Sequence, residues 1–355
     1  MINVLIVEDS PVVREFLIHI LSVDPEISIV GVAHNGEEAI EAVQSKKPHV
    51  ITMDIHMPKL NGFDATRRIM ETNPVPIVIV SGSSTAEEIA TTFRALESGA
   101  LAVVRRPAGL SHPDHEASAR ELIQTVKLMS EVKVVRRWRA RPKVEAAVEP
   151  PAQKSLKPEG AITLVAIGAS TGGPLALQTI LSDLPADFPV PIVVVQHMAQ
   201  GFIHGFAEWL GESTSLPVHV ASHGEALVPG HVYLAPDGHH MLVTKDFRVS
   251  LRSDEPENGL RPSVAALFRS VAEACRAQAV GILLTGMGVD GAAELKRLKD
   301  VGAVTFAQDK ESSVVFGMPG EAIRIGGATH TLSPEKISAA LTIITQRGFR
   351  RTTLT

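Results

Sequence analysis

A serine, a histidine and an aspartate, the side chains that together perform acyl transfer, each follow a short apolar run in the second half of this 355-residue chain. Ser170 sits among glycines in "AIGASTGGPLA", His197 closes "PIVVVQH", and Asp290 lies in "GMGVDG" after "AVGILLTG". Ester hydrolysis needs such a set. The serine attacks the ester carbon, the histidine takes its proton and returns it to the departing alkoxide, and the aspartate orients and stabilises the imidazolium. Backbone N–H groups from Thr171 to Gly173, at the start of a helix, would hold the oxyanion. No metal is needed for these steps.

Other readings compete for the same residues. Gly168 to Gly172 satisfies the G-x-S-x-G of a nucleophile elbow, a pattern common by chance. "STGG" ahead of a helix also offers amides to an anion, and a serine there is often just a cap. "GMGVDG" (286–291) satisfies G-x-G-x-x-G, with Asp309 about twenty residues on, where a ribose ligand is sought. An internal anion is unwelcome beside pyrophosphate, so Asp290 argues against a nucleotide. The glycines then serve to let Asp290 approach its neighbours. A lone strand-end histidine is ordinarily structural, but three strands delivering Ser, His and Asp to one edge outweigh that reading. His330 in "GATHTLS" is the rival base, with no evident strand end to present it. Thr285 and Met287 border the Asp290 loop and shape the ester pocket. Arg261-Pro262-Ser263 opens an amphipathic helix, where capping explains Ser263. His239 and His240 alternate across a hairpin strand and make a poor metal pair. Phe206 and Trp209 read as core.

These side chains must be carried by a sheet. "ITLVAIG", "PIVVVQH", "AVGILLTG" and "AVTFAQ" alternate with helical stretches, predicting a doubly wound parallel α/β domain over residues 161–350. "YLAPDGHHMLVTKDFRVSLR" predicts a β-hairpin insertion turned at Lys245-Asp246. The first half repeats the alternation with "INVLIVED", "SIVGVAHN", "HVITMDI", "VPIVIVSG" and "ALAVVRRP". Functional groups of such sheets collect at the carboxyl ends of the strands. Glu8 and Asp9 follow the first strand and Asp54 the third. Three clustered carboxylates call for a divalent cation, and an all-oxygen set favours magnesium.

Composition narrows the class. The net charge is −5, and residues 161–355 hold 15 Lys+Arg against 18 Asp+Glu, so the second half is no tracker of nucleic-acid phosphates. Cys275 is the only cysteine, which excludes disulfides and cysteine-rich zinc sites, and its setting suggests a buried helix position. No apolar run is long enough to span a bilayer, and the N-terminus lacks a signal sequence, so a cytoplasmic protein is expected. Residues 126–160 read as a helix end and a flexible linker, whose basic run from Lys133 to Lys143 is a solvated hinge.

"DIHMPKLNG" (54–62), together with Glu8 and Asp9, resembles the receiver domain of response regulators over residues 1–125. The resemblance implies a flavodoxin-like fold in which Asp54 accepts a phosphoryl group from a histidine kinase. Asp9 and Asp54 would hold Mg2+ with support from Glu8, and Ser81 would sense the phosphoryl group. Arg106 departs from the pattern, standing where receivers carry lysine; it keeps the charge but presents a planar fork of different reach.

"IGASTGGP", "VVVQHM", "PGHVYLAPDGHHM", "RPSVAALFRSVAE", "GILLTGMGVDGA" and "SSVVFGMPGEA" together resemble the chemotaxis protein-glutamate methylesterases of bacteria over about residues 161–345. This resemblance implies a Ser170–His197–Asp290 triad, with Thr171 at the oxyanion site and backbone from Met287. It also implies glutamate γ-methyl esters of chemoreceptors as substrate, methanol as product, and deamidation of receptor glutamines as a second activity. The unphosphorylated receiver would cover the cleft, and the protein would be recruited to chemoreceptor arrays without membrane insertion. A receiver-regulated hydrolase of other carboxylic esters and a non-catalytic scaffold are the alternatives.

Overall fold

The computed structural model describes residues 1–82, 85–132, 134 and 160–352. They fall into two compact units, Met1–Val144 and Glu145–Thr355. The expected linker and its basic run lie almost wholly outside the described residues.

In the first unit β1 (Ile2–Val7), β2 (Ile27–Ala33), β3 (Val50–Met53), β4 (Ile77–Ser81) and β5 (Ala102–Arg105) alternate with helices. These are α1 (Pro11–Ser22), α2 (Gly36–Lys46), α3 (Gly62–Thr72), α4 (Ala86–Ser98) and α5 (His115–Ser130). The sheet is parallel throughout, in the order β2-β1-β3-β4-β5. Parallel strands covered on both faces are uniformly apolar, and β3 and β4 are accordingly buried at every position. Helix starts follow local chemistry: Ser10, Asn35, Asn61 and Thr85 each cap a free amide of the helix they precede. Helix α5 runs to Ser130, so the helix end expected at the start of residues 126–160 lies there.

The second unit holds a larger parallel sheet. Its strands are β6 (Leu164–Ala169), β7 (Ile192–Gln196), β8 (Val218–Val220), β9 (Val232–Leu234), β12 (Ala279–Leu283), β13 (Val304–Gln308) and β14 (His330–Leu332). The antiparallel pair β10 (His240–Val243) and β11 (Val249–Arg252) stands apart as a hairpin. The helices are α6 (Gly173–Ser182), α7 (Ile203–Ser213), α8 (Val264–Ala274), α9 (Ala292–Asp300), α10 (Met318–Arg324) and α11 (Pro334–Thr352).

The order β14-β13-β12-β6-β7-β9-β8 places β6 at the point where the winding reverses. The chain first builds outward through β7, then crosses to β12 on the other side of β6. Ligands of open α/β sheets bind at such a switch, beyond the strands' carboxyl ends. Both β6 and β7 are buried along their full length, and Phe206 and Trp209 of α7 belong to the core as expected.

Two expectations need correction. Tyr233 and Leu234 are not part of the hairpin insertion: they form β9, whose parallel pairing with β7 completes the main sheet. Only residues 240–252 form the hairpin. His239 precedes its first strand rather than lying in it. His330 opens β14, opposite Phe306 and stacked on that ring, so it sits at the wrong end of its strand to reach the carboxyl edge.

Candidate functional sites

In the second unit, β6 and β7 pair in register through Ala169 and Gln196. The next residue on each strand is Ser170 and His197, so the parallel ladder sets these two side by side at its carboxyl end. Adjacent strands run about 4.8 Å apart, so the two residues are backbone neighbours. His197 N–H donates to the Ala169 carbonyl at 2.9 Å, extending the ladder to this point. Gln196, buried between them, donates its side-chain amide to the carbonyls of Ser170 at 2.9 Å and His197 at 2.7 Å. One glutamine thereby fixes both backbones.

Asp290 reaches this pair from the other side of β6. Its Oδ2 lies 3.0 Å from His197 Nε2, with the His197 and Asp290 side chains 10% and 2% exposed. The distance is that of an ion pair, although its alignment is not that of a linear hydrogen bond. With Nε2 turned to Asp290, Nδ1 is the ring nitrogen left without that contact. Burial alone would push the Asp290 carboxyl up. Contact with His197 and the amides of Val264 and Ala265 outweighs that and holds it below the ordinary carboxylate value.

The glycine-rich loop permits this approach. Gly291 has a φ of +80°, and a Cβ there would fall 2.3 Å from Val264 Cγ1. At Gly286 a Cβ would meet the Ser170 Cβ at 2.6 Å. Thr285 closes the loop's base: its hydroxyl donates to Thr171 O at 2.9 Å and accepts the Val315 amide at 2.9 Å. The residue is structural, and does not line a pocket through a free hydroxyl. Among the described residues, the amides of Thr171 and Met287 have no backbone acceptor. Met287 and Val289 are 49% and 58% exposed, an apolar pair beside the site.

Two residues outside the expected triad stand out. Gln196 was legible only as the last position of a strand. Ser263 caps α8 as expected, accepting the Ala266 amide, but its hydroxyl also donates to Asp290 Oδ1 at 3.0 Å. His239 and His240 are bonded to separate carbonyls, those of Asp237 and Glu255. Cys275 is buried at the end of α8.

In the first unit Glu8, Asp9 and Asp54 bring a carboxylate oxygen each within 4.8 Å of one another, Glu8 and Asp54 buried and Asp9 exposed. Burial, aided by the nearby Asp54, pushes Glu8 up to about 7. Asp54 is likewise raised, chiefly by burial. Glu8 Oε2 is buried without a hydrogen-bond partner. A clustered, oxygen-only set with one orphaned buried oxygen fits a hard divalent cation. Arg106 Nη2 lies 3.7 Å from Glu8 and 3.9 Å from Asp54. Its guanidinium covers Gly82, where a Cβ would come 2.9 Å from Cζ. Ser81 is buried at the end of β4 and its hydroxyl contacts that of Thr92 at 3.2 Å.

Sheet topology and these two sites define a two-part protein, a receiver-type α/β unit and a larger parallel α/β unit that carries Ser170, His197 and Asp290 at its strand ends. Residues 4–112 match the response regulator receiver domain and residues 165–341 match the CheB methylesterase family. The protein-glutamate methylesterase/protein-glutamine glutaminase of Nitrosospira multiformis is 59% identical over 352 residues, covering 98% of each chain. A Geobacter metallireducens protein of the same description is 58% identical over 343 residues, 96% of this chain and 98% of that one. The crystal structure of the Thermotoga maritima CheB methylesterase catalytic domain matches 52% of this chain and all of its own, with 37% identity and a TM-score of 0.50. The chain belongs to the family of protein-glutamate methylesterase/protein-glutamine glutaminases. No described helix is long and apolar enough to cross a membrane.

Proposed function

We propose that this chain hydrolyses glutamate γ-methyl esters on chemoreceptors and deamidates receptor glutamines, under control of phosphorylation at Asp54. The observation that carries the catalytic reading is the juxtaposition of Ser170 and His197 at one register level, with Asp290 3.0 Å from the imidazole.

Ser170 Oγ attacks the ester carbon while His197 Nδ1 takes its proton. Amides of Thr171 and Met287 receive the oxyanion. As the tetrahedral adduct collapses, the proton passes from His197 to the leaving oxygen and methanol departs. Water then attacks the acyl-enzyme with His197 again as base, releasing glutamate and restoring Ser170. An amide substrate follows the same course with ammonia as leaving group. Exposed Met287 and Val289 offer apolar contact to a polypeptide substrate.

In the receiver, Asp54 accepts a phosphoryl group from a histidine kinase, and Glu8, Asp9 and Asp54 are the residues that would hold Mg2+. That ion would supply charge neutralisation at the transferring phosphoryl group. Arg106 offers a second cation and Ser81 the switch hydroxyl. The site of action is the cytoplasmic face of the receptor array.

Mass spectrometry of receptor peptides tests the reading. Incubation with the chain is expected to convert both methyl-glutamate and glutamine positions to glutamate, and Ser170→Ala to convert neither. Conversion undiminished in that variant would remove Ser170 as nucleophile.

A further inference from the structure

We infer that Ser263 is a positioning residue for the esterase reaction, acting through Asp290 rather than only as the cap of α8. The inference rests on the proposed triad.

Asp290 is clasped by the first turn of α8. Its Oδ1 accepts the Ser263 hydroxyl at 3.0 Å and the Ala265 amide at 3.1 Å, and its Oδ2 accepts the Val264 amide at 2.7 Å. Those three donors hold the carboxylate so that Oδ2 also faces His197. Every donor comes from a buried residue, Ser263 being wholly inaccessible. Orientation here is therefore set by protein groups and not by solvent.

Capping does not explain why the residue is serine. A cap needs only an acceptor, and Asp or Asn serve as well. Aspartate would set a second carboxylate against Asp290, and asparagine would add bulk at a wholly buried position. The cap bond itself is long, 3.4 Å to the Ala266 amide, whereas the single hydroxyl proton goes to Asp290. A hydroxyl both caps the helix and donates to a charged acceptor, the stronger class of hydrogen bond.

The clasp is also locked in place. Val264 packs so closely on Gly168 and Gly291 that a Cβ at either would lie 2.3 Å from its Cγ1. Gly168 stands two residues before Ser170 and Gly291 directly follows Asp290. The first turn of α8 thus ties together the strand end that carries the nucleophile and the loop that carries the acid.

A double-mutant cycle on the full chain tests this, read as kcat/KM for methanol release from methylated receptor membranes. Loss of one hydrogen bond to a charged group is expected to lower kcat/KM about tenfold or more in Ser263→Ala. Ser263→Thr, which keeps the hydroxyl, should recover most of the rate. Ser263→Gly, a tolerable cap without a hydroxyl, should not. In an Asp290→Asn background Ser263→Ala should cost nothing further. Multiplicative losses, or a Ser263→Gly variant at full rate, would overturn the inference while leaving the triad standing. An unaffected Asp290→Asn chain would overturn the triad and this inference together.

Discussion

Glu8 and Asp290 are buried carboxylates beyond the carboxyl ends of parallel strands, one in each half of the chain, and their surroundings differ in kind. Glu8 keeps one oxygen without a hydrogen-bond partner, faces Asp54, and is pushed up to about 7. Asp290 accepts three hydrogen bonds and contacts a histidine, and sits below its ordinary value despite burial. The same sheet architecture therefore builds two sorts of acid. The receiver's acids are left short of positive charge, as would suit the cation and phosphoryl group proposed for that site. Asp290 is satisfied from within, as would suit its proposed role as a triad acid that stays ionised and still through turnover.

The largest effect is expected from breaking the satisfied acid. Asp290→Asn should lower kcat/KM for methanol release by about 10²–10⁴-fold, by analogy with loss of the acid from other serine triads. The depressed carboxyl also contributes stability above the ordinary value of 3.8, lost as pH falls through the folded-state value. The variant should accordingly show faster hydrogen exchange in α8 and residues 286–291 at neutral pH, with the difference closing in strong acid. Equal exchange at neutral pH would mean that the clasp adds little.

Next comes Asp54→Asn, which should abolish stimulation of methanol release by a phosphorylated kinase and leave the unstimulated rate unchanged. Stimulation that survives would place the phosphoacceptor elsewhere.

Glu8→Gln should show the opposite pH sign to Asp290→Asn. A folded-state value above the ordinary 4.5 means that the native protein holds a proton the unfolded chain releases. That stability is complete below 4.5 and lost as pH rises through about 7. Without divalent cations the variant should gain about 1–2 kcal/mol at pH 8, after allowance for screening at the pocket mouth, and nothing at pH 4. Segment-resolved hydrogen exchange of the receiver, corrected for intrinsic rates, reads this. A loss of protection at pH 8 would show that Glu8 is supported and not strained.

The smallest effect belongs to Gly82→Ala. A methyl group there displaces the Arg106 guanidinium from Glu8 and Asp54. Phosphorylation by a small phosphodonor should slow by a few-fold, since contacts near 4 Å at a partly exposed cation contribute about 1 kcal/mol or less. Adding Arg106→Lys, a slimmer side chain, should restore the rate. Failure to restore it would separate the glycine from the arginine.

Much of this was legible in the chain. Fully apolar strands announce a covered parallel sheet, and Ser170, His197 and Asp290 follow such strands closely enough for the strand-end rule to find them. The three-residue strands β8, β9 and β14 escaped, being too short to carry a periodicity; β9 was absorbed into its neighbouring hairpin. Residues with two roles were half legible. Ser263 shows its cap in sequence because Ala266 is local, but its bond to Asp290 spans 27 positions and depends on how α8 docks. Gln196 looks like an ordinary strand residue until β6 lies beside it. The closeness of Gly82 and Arg106 is likewise set by the pairing of β4 with β5.

The most direct test is methanol release from methylated receptor membranes, with and without phosphorylated kinase, by the wild-type chain and by Ser170→Ala. The wild-type chain is predicted to release methanol and to release more with kinase, and the variant none in either condition. Release by Ser170→Ala at the wild-type rate would contradict the account at its centre.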